Sequence, residues 1–219
     1  MTKKQVAEVM AILYQLHPNA ECELHHKSDF QLLVATVLSA QTTDVAVNKV
    51  TPALFERYPT SYDLSLAEMG DVEDHIRKIG LYKTKARNIV ALSKMLVDDY
   101  ASVVSDDVKT LMKLPGVGQK TANVVVSNAF GVPAIAVDTH VFRVANRIGI
   151  TNAKDVKNTE IQLQKKLPRE EWIQAHHTFI FHGRYMCDAR KPRCEVCPLT
   201  DHCKYYKQMT KKSRVNTKK

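Results

Sequence analysis

Four cysteines near the C-terminal end constrain the fold of this chain more than any other feature. Cys187, Cys194, Cys197 and Cys203 follow the pattern C-x6-C-x2-C-x5-C, and the chain has only one further cysteine in 219 residues. Four thiols on one short segment can meet at a single metal centre without ligands from elsewhere in the chain. The segment is therefore predicted to be a metal-binding loop and not part of a core.

The cysteine spacing alone leaves two kinds of metal centre open, zinc and iron–sulfur. Zinc sites usually contain paired C-x2-C spacings, whereas only Cys194 and Cys197 lie that close here. The longer gaps suit a larger cluster better. The same segment carries three basic side chains, which a metal-pinned loop would present to a phosphate backbone: Arg190, Lys191 and Arg193.

The formal net charge of +9 favours a polyanionic partner, and nucleic acid is the commonest. The N-terminal residues lack the apolar segment of a secretory signal, and no apolar run reaches the roughly 18 residues of a membrane span. We therefore expect a cytoplasmic protein without membrane contacts, associated with the nucleoid if the source is a bacterium. In a reducing compartment, clustered cysteines are metal ligands more often than disulfides.

Apolar residues recur at helical spacing in almost every segment, which predicts an all-α fold. Two stripes show this period: Val6, Met10, Leu13 and Leu16, and Ala86, Ile89, Leu92 and Leu96. Helix starts are predicted at Ser28, in a capping box with Gln31, at Asp106 or Asp107, and at Glu170 with Glu171. The one candidate strand, residues 133–137, is short and is interpreted as a buried connector. The basic residues 212–219 are interpreted as a disordered, solvated tail.

The segment Leu114–Ala122, with the sequence LPGVGQKTA, lies between two short helical patterns. Pro115 cannot continue the first helix, and Gly116 and Gly118 permit backbone angles that other residues avoid. Amide N–H groups at the start of the next helix can then face a phosphate oxygen, which the helix dipole favours. The whole run resembles a helix–hairpin–helix, a module that binds DNA through its backbone without reading its sequence.

Two residues of this region have side chains suited to catalysis. Lys120 lies in the first turn after the hairpin, where the helix N-terminus disfavours an ammonium group, and burial would further favour the nucleophilic free amine. Asp138 follows the apolar run at residues 134–137 and precedes a helical pattern, so it is a natural N-cap. A carboxylate near an amine nucleophile can also activate it and stabilise a developing sugar cation.

The LPGVGQKTA run, the segment Ala136–Arg143 (AVDTHVFR) and the four cysteines together resemble endonuclease III, over nearly the whole chain except the basic tail. This family contains bifunctional DNA glycosylases and abasic-site (AP) lyases of the helix–hairpin–helix superfamily. The resemblance implies that Lys120 attacks the sugar C1′ and that Asp138 assists cleavage of the glycosidic bond. It also implies a [4Fe–4S] cluster on the four cysteines.

The resemblance suggests further DNA contacts. Gln41, within LSAQTT, would fill the void left in the DNA, and Leu81, within IGLY, would be an apolar wedge in the opposite strand. His140 would line the base pocket. On the sequence alone, such a glutamine is more often a polar residue at a helix end, a leucine like Leu81 more often belongs to the core, and a histidine like His140 is more often structural.

The architecture implied is two helical domains flanking a DNA-binding cleft, with Lys120 and Asp138 on opposite sides. One domain would span residues 22–132 and contain the helix–hairpin–helix, at about 107–130. The other would join residues 1–21 to 133–211 and hold the cluster loop, followed by the tail at 212–219. The expected partner is double-stranded DNA containing damaged pyrimidines such as thymine glycol, or abasic sites, bound by a monomer.

Two other functions are weighed against this one. An adenine-mismatch glycosylase of the same superfamily shares the hairpin, the aspartate and the cysteines, but typically lacks the lysine at position 120 and has an additional C-terminal domain. A DNA-binding or redox-sensing module without catalysis would need neither Lys120 nor Asp138. The presence of both residues, and the end of this sequence soon after the cysteines, favour the glycosylase and lyase.

Overall fold

The computed structural model describes residues 1–216, with the side chains of residues 1–211, and all regular secondary structure in this part of the chain is helical. The chain divides into two compact units. We call residues 22–134 the hairpin unit and residues 1–21 with residue 135 onward the cluster unit. The connection from the first to the second lies at Ala134–Ile135, whereas the sequence prediction placed it after Val132.

The hairpin unit contains eight helices among the described residues. They are α2 (Asp29–Leu38), α3 (Asp44–Asn48), α4 (Thr51–Arg57), α5 (Ser61–Ser65), α6 (Met69–Ile76), α7 (Tyr82–Tyr100), α8 (Val108–Leu111) and α9 (Gln119–Phe130). Helix α2 is buried from Phe30 to Leu38 and packs against α7 and α9. It is therefore the central helix of this unit, and burial of its apolar side chains stabilises the packing of α7 and α9 against it.

The cluster unit contains five α-helices among the described residues, with short 3₁₀ turns at Arg169–Glu171 and Cys194–Val196. They are α1 (Lys3–Leu16), α10 (Thr139–Ile148), α11 (Val156–Lys166), α12 (Trp172–Tyr185) and α13 (Lys204–Asn216). Helix α12 packs against α1 and α10, and Phe179 at its centre is fully buried. The Tyr14 hydroxyl of α1 donates to Glu171 Oε2 at 2.9 Å, which joins α1 to the start of α12.

Local capping explains where several helices begin. The side chains of Ser28, Asp107 and Asp138 each accept a hydrogen bond from the backbone N–H three residues later, as predicted. The capping box expected at Ser28 is incomplete, however, because the Gln31 side chain accepts from the Lys27 N–H and not from that of Ser28.

The remaining sequence predictions fare unevenly. The connector at residues 133–137 has no strand, and its residues from Ala134 to Val137 are buried, as expected. The prediction of a disordered tail is wrong as far as Asn216, because α13 continues to that residue. The rest of the predicted tail, residues 217–219, lies outside the described residues. No helix among the residues that the structure describes is long and apolar enough to cross a membrane.

Candidate catalytic residues and cysteine cluster

The helix–hairpin–helix is formed by α8, the turn at residues 112–118, and α9. Gly116 lies at the centre of the turn with φ +79°, a left-handed conformation that favours glycine. A Cβ atom at Gly116 would lie 2.9 Å from Asn88 Nδ2 and 3.0 Å from Asn88 Cβ. The turn thus requires glycine here for two reasons, its backbone angle and its close approach to α7.

Gly118 differs from the expectation drawn from the sequence. Its φ of −96° and ψ of 177° are ordinary extended values, and a Cβ atom there would meet open space. Gly118 is the N-cap of α9, and no side chain caps the first N–H groups of that helix. These amides are therefore available to an anion, and the absence of a side chain at Gly118 leaves room for its approach.

Lys120 is the second residue of α9, one turn from the hairpin. Its side chain is exposed, and it forms no ion pair within the described part of the chain. The burial of the Lys120 amine that the sequence analysis considered is therefore not present in the free protein. The amine is accessible to a ligand at the same helix end that presents the uncapped N–H groups.

Asp138 is the N-cap of α10 and is partly exposed. Its Oδ1 atom accepts a hydrogen bond of 2.8 Å from the Val141 N–H, which orients the carboxylate. Oδ2 has no hydrogen-bond partner among the described residues. Capping and chemistry are compatible at this position, because capping occupies one carboxylate oxygen and leaves the other available.

The two side chains predicted to enter DNA both lie on strained turns of the hairpin unit. Gln41 follows α2 with φ 55°, and Leu81 precedes α7 with φ 59°. A non-glycine residue in this region costs about 1–2 kcal/mol, and such strain concentrates at functional sites. Leu81 is 60% exposed, so the interpretation of this leucine as a core residue is wrong. Both side chains project from turns and not from helices.

Lys85 is a residue near these turns that the sequence analysis did not single out. It lies one turn into α7, is only 4% exposed, and donates from Nζ to Thr42 Oγ1 at 2.6 Å. Burial lowers the pKa of its ammonium group. A sequence signal existed, because Lys85 occurs at the start of the buried stripe that continues through Ile89 and Leu92.

The four cysteines of the cluster unit are all partly buried and none forms a disulfide. Burial, first, and then the negative charge of the neighbouring thiolates raise the pKa of Cys194. The same two causes act on Cys197 and Cys203, against opposing backbone hydrogen bonds. The charges of Cys187 and Cys203 contribute to the raised pKa of both Cys194 and Cys197, so the four side chains lie in one neighbourhood.

Four cysteine thiolates are a donor set that an iron–sulfur cluster takes, and zinc takes it as well. Among the described residues, no group of three or more His, Cys, Asp or Glu side chains is arranged to hold a metal ion. Binding of a metal centre by the four thiols requires their deprotonation, and the metal must supply the compensating positive charge. A cluster of several irons supplies that charge over a wider span than one zinc ion.

Two arginines of α10 bind the loop that begins at Cys187. Arg143 donates from Nε to the Cys187 carbonyl at 3.2 Å and from Nη2 to the Gly183 carbonyl at 2.9 Å. Arg147 donates to the carbonyls of Asp188 and Ala189, each at 2.7 Å, and its Nη1 lies 3.5 Å from Cys187 Sγ. The sequence analysis missed both arginines, although their spacing of four residues places them on one helix face.

The three basic residues between Cys187 and Cys194 are exposed, as their proposed role requires: Arg190, Lys191 and Arg193. Asp188 orders this segment, because its Oδ1 accepts from the Arg190 N–H at 2.8 Å and from the Lys191 N–H at 3.0 Å. These backbone hydrogen bonds also lower the pKa of the Asp188 carboxyl. The acidic side chain is thus used within the loop, and the cations face solvent.

His140 has neighbours within its own unit. Its Nδ1 atom lies 3.1 Å from Arg143 Nη2, and a Cβ atom added at Gly183 would lie 2.8 Å from the His140 Cβ. These contacts fit the structural alternative for this histidine. Its contribution to a base pocket stays a prediction.

Comparison with known protein families gives two matches. Residues 34–169 match the family described as HhH-GPD superfamily base excision DNA repair protein. Residues 187–203, which begin and end at the outermost of the four cysteines, match the iron–sulfur binding domain of endonuclease III.

Similar proteins cover almost the entire chain. Endonuclease III of Bacillus subtilis is 49% identical over 213 residues, which are 97% of each protein. Endonuclease III of Escherichia coli K12 is 44% identical over 205 residues, 94% of this chain and 97% of that protein. A solved structure of a trapped covalent intermediate between endonuclease III and DNA matches with a TM-score of 0.92 and 51% identity, covering 96% of this chain and 99% of that chain.

Proposed function

The chain belongs to the endonuclease III family of base-excision DNA repair enzymes, and on this premise we propose that Lys120 and Asp138 carry out its reactions as a DNA glycosylase and AP lyase. The family matches confirm the resemblance, the helical fold and the [4Fe–4S] cofactor that the sequence predicted. The observation that best supports the choice of Lys120 is its exposed amine beside the uncapped N–H groups of α9.

In the proposed reaction, the Lys120 amine attacks C1′ of a damaged nucleotide that has been flipped out of the base stack. The new C1′–N bond forms as the glycosidic bond breaks, and the base leaves with the bonding electrons and gains a proton. The amine loses a proton and the sugar ring opens, which leaves an imine between Nζ and C1′. Removal of a C2′ proton then expels the 3′ phosphate, so the strand is cut by β-elimination.

Asp138 is proposed to assist the first half of this reaction. Its Oδ1 is held by the Val141 N–H, and the available Oδ2 is suited to stabilise positive charge that develops on the sugar or to accept a proton from the amine. Because the helix N-cap fixes the carboxylate before substrate arrives, little reorganisation is needed during the reaction.

The remaining polar features are proposed to bind the DNA backbone. The uncapped amides of α9 suit one phosphate, and the exposed cations at Arg190, Lys191 and Arg193 suit others. We infer a preference for oxidised or saturated pyrimidines such as thymine glycol, since bases that have lost aromaticity stack poorly and are flipped at lower cost. We infer a monomeric, cytoplasmic enzyme, which would act at the nucleoid if the source is a bacterium.

The cofactor has a structural part in this proposal. Cys187, Cys194, Cys197 and Cys203 would hold the [4Fe–4S] cluster, which when bound supplies a rigid crosslink for the loop that carries the three cations. Arg143 and Arg147 join the same loop to α10. None of the proposed bond-breaking steps uses the cluster.

The proposal is tested by borohydride trapping on a duplex that contains one thymine glycol. Borohydride reduces the imine to a stable amine, so the native enzyme should give a covalent protein–DNA adduct. Lys120→Gln should give no adduct while still binding the duplex, whereas Lys94→Gln, which removes an equal charge from an exposed position on α7, should react normally.

Asp138→Asn supplies a matched test of the second residue. Asparagine caps a helix as well as aspartate does, so the stability should be unchanged, while base release should slow by about 100-fold or more. Base release without an adduct in the native enzyme would instead indicate a monofunctional glycosylase. An adduct formed by Lys120→Gln would refute the choice of nucleophile.

A further inference from the structure

Lys85 is a buried cation with no counter-charge among the residues that the structure describes. Its side chain is only 4% exposed, and no carboxylate among the described residues lies within ion-pair distance of it. Its ammonium group donates to the hydroxyl oxygen of Thr42 at 2.6 Å. An ammonium group removed from water with a neutral acceptor is unfavourable for stability, and an apolar side chain of similar length would fill the position without that penalty.

The position of Lys85 joins two turns that are far apart in the sequence. Its backbone N–H donates to the Leu81 carbonyl at 3.0 Å, so the start of α7 fixes the lysine relative to Leu81. Its side chain reaches Thr42, the residue next to Gln41. The Thr42 N–H donates to the Ser39 carbonyl at 3.0 Å and closes the turn that carries Gln41.

Both turns need external support, because Gln41 and Leu81 have left-handed backbone angles that side chains disfavour. Such angles persist only where surrounding contacts hold them. The hydrogen bond from Lys85 to Thr42 is a contact of this kind. It holds the Gln41 turn directly, and the lysine that donates it lies one helical turn after Leu81.

We propose that Lys85 is a positioning residue that holds the Gln41 turn and the Leu81 turn at a set separation, so that both side chains enter the gap left by a flipped nucleotide together. This inference rests on the proposed function, in which these two side chains occupy that gap. The unpaired charge of Lys85 then serves lesion recognition. Removing the charge should weaken binding to a lesion without lowering the stability of the protein.

The test compares two duplexes that differ only at one position. One contains a stable tetrahydrofuran analogue of an abasic site and the other is undamaged. Lys85→Met should weaken binding to the abasic analogue by about tenfold, the equivalent of one hydrogen bond to a charged group, and change binding to the undamaged duplex by less than about twofold. Its melting temperature should equal or exceed that of the native protein, because a buried charge is removed.

Thr42 supplies the partner in a double-mutant cycle. Thr42→Val removes the acceptor with little change of shape and should reproduce the tenfold loss of affinity for the abasic analogue. Thr42→Ser retains the hydroxyl and should bind as tightly as the native protein. Combining Lys85→Met with Thr42→Val should produce no further loss, since both remove one interaction. With 2-aminopurine opposite the abasic analogue, the fluorescence increase that reports displacement of that base should be reduced in Lys85→Met and in Thr42→Val.

Lys94→Met is the control for charge, because it removes a lysine from an exposed position on the same helix. It should bind both duplexes as the native protein does. Equal losses on both duplexes together with a lower melting temperature would show that Lys85 is only structural, and would overturn the proposal. A loss in Lys85→Met without one in Thr42→Val would also overturn it, because the ammonium would then contact the DNA itself.

The positioning role would be refuted if Lys85→Met bound the abasic analogue as tightly as the native protein does. If the native enzyme also formed the borohydride adduct on thymine glycol, the proposed function would remain intact. Native enzyme that forms no adduct would refute the proposed function instead. The two failures are therefore distinguishable in the same set of measurements.

Discussion

The two glycines of the hairpin provide a sharp test, because the structure predicts different results for the same substitution. Gly116→Ala places a methyl group at a backbone φ of +79° and within 3.0 Å of Asn88. The left-handed angle costs about 1–2 kcal/mol with a side chain, and the contact adds about 1–3 kcal/mol because the Asn88 Cβ is fixed on α7. We therefore expect a loss of at least about 2 kcal/mol in the free energy of unfolding.

Gly118→Ala should leave stability nearly unchanged. The backbone there is extended and the added methyl group meets open space. Alanine reduces the conformational freedom of the unfolded chain, which stabilises the fold, but it is a poorer N-cap than glycine, which destabilises it. The net change in the free energy of unfolding stays within about 1 kcal/mol. The same methyl group stands where a phosphate would approach the amides of α9, and DNA binding should weaken on the order of tenfold.

Thermal unfolding followed by circular dichroism measures the first effect, and fluorescence anisotropy with labelled duplex at one salt concentration measures the second. In a chain of this length, 2 kcal/mol lowers the melting temperature by about 4–8 °C. Asn88→Ala removes the Nδ2 and Cγ atoms and should recover part of the loss in Gly116→Ala. Equal melting temperatures for native protein and Gly116→Ala, or equal losses in both glycine variants, would refute the reasoning.

Two further predictions concern charge. Burial lowers the pKa of His177 to about 4. Because this value lies below the pKa near 6.5 of the unfolded chain, the unfolded state binds the proton more readily. The stability that the neutral histidine permits is therefore present above pH 6.5 and is lost as the pH falls towards 4. Denaturant unfolding should show about 2 kcal/mol less stability at pH 5 than at pH 7 from this group, and His177→Gln should reduce that difference; an unchanged difference would contradict the assignment. Lys191→Gln should reduce the slope of log affinity against log salt by about one, measured by anisotropy, whereas Lys94→Gln should leave the slope unchanged.

Features that depend on a few consecutive residues could be predicted from the sequence. The caps at Ser28, Asp107 and Asp138 are correct, since each needs only a short polar side chain three residues before an available N–H. The second bond of the capping box at Ser28 is absent, because Gln31 bonds to the N–H of Lys27. That choice depends on the conformation of the backbone before the helix, which the capping-box pattern does not specify.

Features that depend on contacts between distant residues could not be predicted in the same way. Position 116 requires glycine because of its left-handed angle and its close approach to Asn88 on α7, whereas Gly118, two residues later, is an ordinary extended N-cap. Identical residues in one motif therefore have different reasons to be glycine. In the cluster loop, the spacing of the cysteines predicted a metal site. The arginines of α10 that bind this loop could not be predicted, because they are distant from it in the sequence.

The two lysines differ in burial in a way that the sequence did not indicate. A desolvated lysine was considered at Lys120, but Lys120 is exposed and the buried lysine is Lys85. A nucleophile that is exposed in the free protein stays accessible to DNA, and its water-excluded surroundings must then come with the bound substrate. Burial of Lys85 suits its proposed positioning role, since turns that are proposed to enter the DNA must be held in place before the substrate arrives. Under the two proposals, the exposed lysine supplies the nucleophile, and the buried lysine holds the geometry on which the chemistry depends.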